Sequence, residues 1–225
     1  MKILIPEPIQ EIVKDSRFEL DTIGRSNNTI LLYPEMVLKI EKKNTVSDTA
    51  ALVMKQGQGI LPVPEVLERV IVGDLSYTLS TRIHGKMSCD PYYLERPKVL
   101  IPLLAEALHL LWSADISAFQ GLPTDVDPGY KGPLVFSHGD FCMPNILLDG
   151  NKIAGFIDLG DAALSSKWRD LSLIQWSLTK NSDGTFGSRV YEGVHPEDLF
   201  AEAGIAYNKE EMDYWISQVS WMSEV

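Results

Sequence analysis

Apolar and polar positions divide the chain into two parts with different periodicity. Across residues 17–72, short apolar runs alternate with polar residues and are broken by Gly, Asn and Pro, as in half-buried strands. Across residues 99–112 the apolar positions are nearly continuous, which is typical of a helix buried in a helical core. The pattern predicts an α+β fold, with an antiparallel β-rich N-terminal part and a mainly helical C-terminal part.

The individual runs predict a meander, a helix and a second hairpin in the N-terminal part, followed by helices. Pro34-Glu35 separates two strands of the meander, and Gly73-Asp74 separates the strands of the second hairpin. The predicted strands cover residues 18–23, 29–33, 36–40, 65–72 and 75–80, and the predicted helices cover residues 47–56, 99–112, 171–178, 196–203 and 209–222.

Three apolar runs between residues 134 and 161 are each bounded by polar residues. The first run ends in His138-Gly139-Asp140, and Asn145, five residues after Asp140, opens the second. An Asp-Gly turn then leads into the third run, which ends on Asp158. Because such a turn makes a hairpin, we expect Asp158 to return to the end of the sheet where Asp140 and Asn145 lie.

These three polar residues match the needs of phosphoryl transfer. The reaction needs a base that orients a hydroxyl and hard oxygen ligands that hold Mg²⁺ on the phosphates. Asp140 is the candidate base, and Asn145 and Asp158 are the candidate metal ligands. A lone His-Gly-Asp, or an Asp that ends a strand, is more often a turn former or a helix cap. The combination at this spacing favours a kinase.

The same stretch resembles the aminoglycoside 3'-phosphotransferases. The resemblance rests on Leu-Val-Phe-Ser-His-Gly-Asp, on Asn145, on Gly-Phe-Ile-Asp-Leu-Gly and on the later Lys-Trp-Arg-Asp, and it is close over residues 134–178. It implies a protein-kinase-like fold with two lobes, residues 1–83 and 84–225, and ATP and Mg²⁺ as cofactors. It also implies that Asp140 is the catalytic base and that Asn145 and Asp158 bind Mg²⁺.

A small polar loop and a lysine are the candidate ligands of the ATP phosphates. Gly24, Ser26 and Asn27 lie in the first turn of the meander, which by itself is more often an ordinary hairpin turn. The resemblance assigns this loop to the phosphates. Lys39 lies on an alternating strand, where a kinase places the lysine that holds the α- and β-phosphates.

Residues 80–83 fall where the family has the hinge between the lobes. The resemblance implies that the backbone around Ser80 and Arg82 donates and accepts hydrogen bonds to adenine. Backbone contacts leave no pattern of side chains, so this assignment rests on the resemblance alone.

The sequence departs from the family at the acid that pairs with the lysine. The helix predicted over residues 47–56 contains no Glu, and Ala50 stands at the expected acidic position. Asp48 is the nearest acid. It either pairs with Lys39 or, like Ser47, caps the start of the helix.

A second departure concerns the acceptor side. The family has a long acidic insertion where residues 119–133 form a short loop rich in Gly, Pro and Asp. Asp125 and Asp127 either contact amino groups of a substrate or belong to Asp-Pro turns. At the C-terminus, Glu224 and the terminal carboxylate replace the acidic tail of the family.

Other polar residues within apolar runs are read as structural. We expect His109 to be a packed histidine with a satisfied partner. We expect Asp170 to cap a helix or to anchor the catalytic loop. Cys142 is interpreted as a small residue of the loop.

Composition and charge limit the possible partners. The formal charge of −11 argues against binding to nucleic acid and is compatible with a cationic small molecule, although many proteins are acidic for solubility alone. The two cysteines are far apart, so neither a disulfide framework nor a zinc site is expected. No apolar run is long enough for a signal peptide or a membrane span, which predicts a cytoplasmic protein. We expect a monomer or weak dimer.

The sequence thus predicts an ATP-dependent phosphotransferase that acts on a hydroxyl of a kanamycin- or neomycin-type aminoglycoside and confers resistance. Two alternatives remain open. In the first alternative, the acceptor is another small alcohol or amino-alcohol. In the second, the protein binds nucleotides but has weakened catalysis. The choice between ATP and GTP is also open.

Overall fold

The computed structural model describes residues 3–21, 28–187 and 189–219. Five N-terminal strands form one antiparallel sheet with the order β1-β2-β3-β5-β4. The hairpin predicted around Gly73 is confirmed, with this glycine in the left-handed region at φ 60°. The strands are β1 (Glu19–Leu20), β2 (Thr29–Leu32), β3 (Met36–Lys42), β4 (Val66–Val72) and β5 (Leu75–Thr81).

Helices and two small sheets make up most of the remaining chain. One small sheet has the order β10-β9-β6 and the other the order β7-β11-β8. Their strands are β6 (Lys86–Met87), β7 (Thr124–Asp125), β8 (Val135–Ser137), β9 (Ile146–Asp149), β10 (Lys152–Phe156) and β11 (Ala163–Ser165). The helices are α1 (Glu7–Val13), α2 (Thr45–Gln56), α3 (Pro91–Leu94), α4 (Pro97–Ser113), α5 (Lys167–Ser182), α6 (Asp198–Glu202) and α7 (Lys209–Ser217).

Helix α2 begins two residues earlier than predicted because Asn44 caps it. The Asn44 side chain accepts a hydrogen bond from the Ser47 N–H at 2.9 Å, and the Ser47 hydroxyl accepts one from the Asn44 N–H at 3.1 Å. This reciprocal pair is a capping box, which satisfies two backbone donors of the first turn. The predicted cap at Ser47 or Asp48 is therefore wrong.

Two hydrophobic cores lie on either side of the candidate site. The smaller core joins α1 to the five-stranded sheet, for example through Ile9, Leu38 and Leu79. The larger core fills the helical part and also includes Val53 of α2 and Leu61. Helix α2 is thus packed on the core of the helical lobe, although it lies between two strands of the sheet in sequence.

The fold is α+β, as predicted, with a β-rich N-terminal lobe and a mainly helical C-terminal lobe. The boundary between residues 83 and 84 stays a prediction. Within the described part of the chain, the helices are all too short or too polar to cross a bilayer.

The prediction for His109 is wrong. Its side chain lies on the exposed face of α4, where its ring contacts Trp112 edge-to-face at a centroid distance of 5.5 Å. The exposure of His109 was not apparent from the nearly continuous apolar run, because α4 has one exposed face as well as its buried residues.

Candidate active site

A buried carboxylate on α5 holds the loop that follows β8. Asp170 accepts hydrogen bonds from the Ser137 hydroxyl at 3.0 Å and from the backbone N–H groups of His138 and Gly139, both at 3.1 Å. Burial raises the pKa of Asp170, while the charge of Arg169 and these hydrogen bonds oppose the rise. Ser166, not Asp170, caps α5. Of the two structural roles considered for Asp170, the anchor is the one observed.

His138 joins the two ends of the catalytic hairpin. Its ring is fully buried, with Nε2 3.0 Å from the Ile157 carbonyl and Nδ1 3.3 Å from the Asp140 N–H. A carbonyl oxygen only accepts, so Nε2 carries the proton and Nδ1 accepts from the amide. The sequence reading missed this role, because a histidine before Gly-Asp looks like part of a turn.

Gly139 allows the loop to approach the next turn very closely. Its φ is 84°, and a Cβ at this position would lie 1.9 Å from the Asp161 carbonyl oxygen. No side chain fits there, and the left-handed backbone also disfavours any other residue. The glycine therefore fixes the distance between the loop of Asp140 and the short helical turn Leu159–Asp161.

Asp140 and Asn145 are in direct contact. The Asn145 amide nitrogen donates to the Asp140 carboxylate and to the Asp140 backbone carbonyl, each at 2.9 Å. The amide oxygen of Asn145 is left for another ligand. The Asn145 carbonyl accepts from the Ile157 N–H at 3.1 Å, which brings Asp158 beside this pair.

Asp158 adopts an unusual backbone conformation. Its φ is 60°, and it is the one non-glycine residue with a positive φ among residues 3–21, 28–187 and 189–219. Such a conformation costs on the order of 1 kcal/mol or more and is enriched at functional sites. It leaves the carboxylate about half exposed at the surface of the site.

Asn145 and Asp158 suit Mg²⁺ better than they suit a metal whose ligands all come from the protein. They offer an amide oxygen and a carboxylate, and the described residues contain no cluster of three or more His, Cys, Asp or Glu able to hold a metal. Mg²⁺ is suited to one or two such oxygen ligands, because it keeps waters and substrate phosphates in its other positions.

Lys39 contacts two acids. Its Nζ lies 2.8 Å from Oδ1 of Asp158 and 3.3 Å from Oε2 of Glu41. Burial would lower the pKa of the Lys39 amine, but Asp158 and then Glu41 outweigh it and raise the pKa above its ordinary value. The sequence reading missed Glu41. The available signal was its position two residues after Lys39 on the same strand, which puts both side chains on one face.

Neither role predicted for Asp48 is observed. Its carboxylate lies 2.5 Å from the Arg69 guanidinium and 3.5 Å from Lys43. It therefore neither caps α2 nor contacts Lys39. Ala50 is buried, with 7% of its surface exposed.

The remaining residues predicted to bind the nucleotide lie at or just beyond the C-terminal end of β5, or outside the described residues. Ser80 is buried on β5. The Arg82 side chain donates to the Tyr33 carbonyl at 2.8 Å, and its N–H donates to the Glu35 carbonyl at 2.8 Å. Both therefore border the turn between β2 and β3, and their contact with adenine stays a prediction. The other three, which lie outside the described residues, are Gly24, Ser26 and Asn27.

The two acids of the short loop already have partners. Asp125 lies 3.1 Å from the Arg169 guanidinium. Asp127 lies close to the Tyr214 hydroxyl and raises the pKa of that phenol. Glu224 lies outside the described residues.

Asp161 adds a further negative charge beside Asp140. Partial burial and then the charge of Asp140 raise the pKa of Asp161, while Arg169 acts in the opposite direction. The site therefore presents Asp140, Asp158 and Asp161 in one region. By contrast, an open cavity of about 600 Å³ is lined by Lys167, Trp168 and residues 204–210 and includes none of these acids.

Comparisons with known proteins identify the family. The family model described as APH, phosphotransferase enzyme family, matches residues 90–205, about half of the chain. An aminoglycoside 3'-phosphotransferase from Niallia circulans is 27% identical over 219 residues, covering 77% of this chain and 83% of the relative.

Solved structures share the fold. Aminoglycoside phosphotransferase APH(3'')-Id from Streptomyces rimosus ATCC10970 superposes with a TM-score of 0.66 at 17% identity, covering 92% of this chain and 93% of that one. Its complex with ADP and streptomycin superposes with a TM-score of 0.63 at 17% identity, covering 92% and 94%. The predicted two-lobe, kinase-like fold is thereby confirmed. By its matching family model and the arrangement of its sequence motifs, the chain belongs to the phosphotransferase enzyme family.

Proposed function

We propose that this protein transfers the γ-phosphate of ATP to a hydroxyl group of an aminoglycoside of the kanamycin or neomycin type and thereby confers resistance. One observation carries the proposal: Lys39, Asp158, Asn145 and Asp140 form a continuous series of contacts. The series begins with the Lys39–Asp158 ion pair at 2.8 Å. It continues through the backbone hydrogen bond from the Ile157 N–H to the Asn145 carbonyl and ends at the side-chain hydrogen bond from Asn145 to Asp140 at 2.9 Å.

Each residue of this series has a distinct task in the proposed reaction. Asp140 orients the acceptor hydroxyl and accepts its proton, and its carboxylate is held for this by the Asn145 amide. Lys39 binds the α- and β-phosphates, and the loop containing Gly24, Ser26 and Asn27 covers them. Asn145 and Asp158 would hold Mg²⁺, which would supply positive charge against the phosphates.

The charge of the site supports a cationic acceptor. Asp158 and Asp161 lie beside the proposed base, and the whole chain carries a formal charge of −11. A negative surface raises the local concentration of a polyamine and speeds its encounter with the site. The relative from Niallia circulans is named an aminoglycoside 3'-phosphotransferase, and the solved complex contains ADP and streptomycin.

A second acceptor class is favoured by the short loop of residues 119–133. Because Asp125 is paired with Arg169 and Asp127 with Tyr214, neither carboxylate is available to a large polyamine without losing its partner. A smaller amino-alcohol needs fewer anionic contacts. It is the second candidate, with the same chemistry.

Phosphorylation of kanamycin and neomycin by the purified protein, with ATP and Mg²⁺, tests the proposal. We expect turnover within the usual kinase range of about 1–100 per second. Asp140→Asn should lower kcat by about 10²–10⁴-fold because it removes the proton acceptor. Asp149→Asn is the matched control, since it makes the same change at the exposed turn of the same hairpin. It should retain the wild-type rate.

A folded Asp140→Asn protein with unchanged turnover would contradict the assignment of the base. If ATP is consumed only with amino-alcohols and not with either antibiotic, the acceptor class changes and the phosphotransfer chemistry stands. Raised tolerance to kanamycin in a susceptible host that expresses the wild type, but not Asp140→Asn, tests the resistance phenotype.

A further inference from the structure

The described part of α2 offers no acid to Lys39, yet the lysine is not left with Asp158 alone. We propose that Glu41 is the positioning residue that holds Lys39 against the phosphates, in place of an acid on α2. The inference rests on the proposed function, because it concerns the lysine assigned there to the nucleotide.

Strand geometry places the two side chains together. Successive residues of a strand point to opposite faces, so Lys39 and Glu41, two positions apart on β3, share a face. The register of β3 fixes this face, since Lys39 lies opposite Thr78 and Glu41 lies opposite Ser76 of β5. The Nζ to Oε2 distance is 3.3 Å, within the range of an ion pair.

The burial of Glu41 shows that the pair is built into the lobe. Its side chain is only 8% exposed, and that of Lys39 is 22% exposed. A buried carboxylate without a cation is costly, so Glu41 needs Lys39 as much as Lys39 needs an anion. A surface glutamate that met a lysine by chance would be far more exposed.

The alternative acids are excluded by their own contacts. Asp48, the one acid of α2, is 2.5 Å from Arg69. Position 50 carries alanine. Asp158 does contact Lys39, but the proposed function also gives this carboxylate to Mg²⁺, which competes for the same oxygen atoms. Glu41 has no such second task and remains as the anion of Lys39.

The experiment is a double-mutant cycle on nucleotide affinity. ADP binding is measured by calorimetry, with EDTA and with Mg²⁺, for wild type, Glu41→Gln, Lys39→Met and the double variant. We expect Glu41→Gln to weaken ADP about tenfold, the size of a lost charge-assisted hydrogen bond. In the Lys39→Met background the same change should alter affinity less than twofold, because Glu41 acts through the lysine.

The kinetic readout separates positioning from a structural role. Glu41→Gln should lower kcat/KM for ATP about tenfold while KM for the acceptor stays unchanged. Glu19→Gln is the matched control, because it removes the same formal charge from an exposed position on the edge strand of the same sheet. It should bind ADP like the wild type.

Each outcome decides the inference. Equal loss of affinity in both backgrounds, or ADP affinity of Glu41→Gln within twofold of wild type, would overturn it. The double-mutant cycle on ADP binding needs no acceptor, so the inference about Glu41 stands even if the protein does not phosphorylate aminoglycosides. If the wild type binds no adenine nucleotide, both the proposed function and this inference are wrong.

Discussion

The loop after β8 and strand β3 both present charged groups to the candidate site, but they hold them differently. Around Asp140 the backbone itself is held closely: two backbone N–H groups and the Ser137 hydroxyl donate to Asp170, and a Cβ at Gly139 would lie 1.9 Å from the Asp161 carbonyl oxygen. On β3 the ion pair of Lys39 and Glu41 depends on two side chains of one strand.

This difference explains why one region matches its family closely and the other does not. The catalytic loop requires particular backbone conformations and buried partners, so few residue types fit. A lysine requires only a nearby anion, and an anion can be supplied from more than one element. An acid on the strand can therefore meet the same requirement as the acid expected on α2.

Loss of Asp170 should show the largest effect, because two buried donors and the half-buried Gly139 N–H lose their common acceptor. Each unsatisfied donor costs about 1–3 kcal/mol, so Asp170→Ala should destabilise the fold by roughly 3 kcal/mol or more. In a chain of this size that lowers Tm by roughly 6–12 °C. Thermal unfolding measures it, with Asp74→Ala at the exposed β4–β5 turn as control.

If Asp170→Ala and Asp74→Ala unfold at the same temperature, the claim that Asp170 holds the loop after β8 is wrong. Activity of Asp170→Ala is measured well below its Tm, so that a misplaced Asp140 is distinguished from unfolded protein.

Ala50→Glu should have an intermediate effect, and it tests directly whether Glu41 on β3 already serves as the acid that pairs with Lys39. Position 50 is 7% exposed, so the added side chain overpacks the site and should destabilise the protein by about 1–3 kcal/mol. If Glu41 already serves Lys39, kcat/KM for ATP should not rise. Denaturant unfolding and steady-state kinetics measure both quantities. A fivefold gain in kcat/KM would mean that the pair on β3 is incomplete.

Asp48→Asn should have the smallest effect. The hydrogen bond from Arg69 lowers the pKa of Asp48 from its usual 3.8, so the ionised form is favoured in the folded state. The side chain is 47% exposed, and solvent screening limits the gain to below about 1 kcal/mol. The stabilisation is present above pH 3.8 and is lost as the pH falls through the lowered pKa.

Unfolding free energies of wild type and Asp48→Asn should therefore differ at pH 7 and converge once the pH lies below the lowered pKa of Asp48. Loss of ATP turnover in Asp48→Asn would instead give this acid a role at Lys39, against the observed contacts.

The sequence predicted those features that depend on local patterns. The hairpins, α4 and α5 follow from periodicity and turn residues, and the contact between Asp140 and Asn145 follows from their spacing in one short loop. Asp170 was left between two roles, because only the folded chain brings it to the loop 30 residues earlier. Long-range contacts of this kind have no signature in one sequence.

The pairing of Lys39 was missed for a different reason. The family resemblance places the partner acid on the helix that follows the strand, so the prediction concerned α2 and not Glu41 on the strand itself. The predicted cap of α2 was also too late, because Ser47 and Asp48 are suited to the N-cap as well as Asn44, which occupies it.

Helix α2 buries Val53 in the core of the helical lobe, and its Val46 lies against Gly160, where a Cβ would approach to 2.3 Å. The helix is thus packed mainly on the lobe opposite to the one that carries Lys39, although Asp48 also pairs with Arg69 of β4. An ion pair between the lysine and this helix would lengthen or break whenever the lobes rotate. A pair within β3 would keep its geometry through such a rotation, so the part of the alignment of Lys39 that Glu41 supplies would not depend on lobe closure.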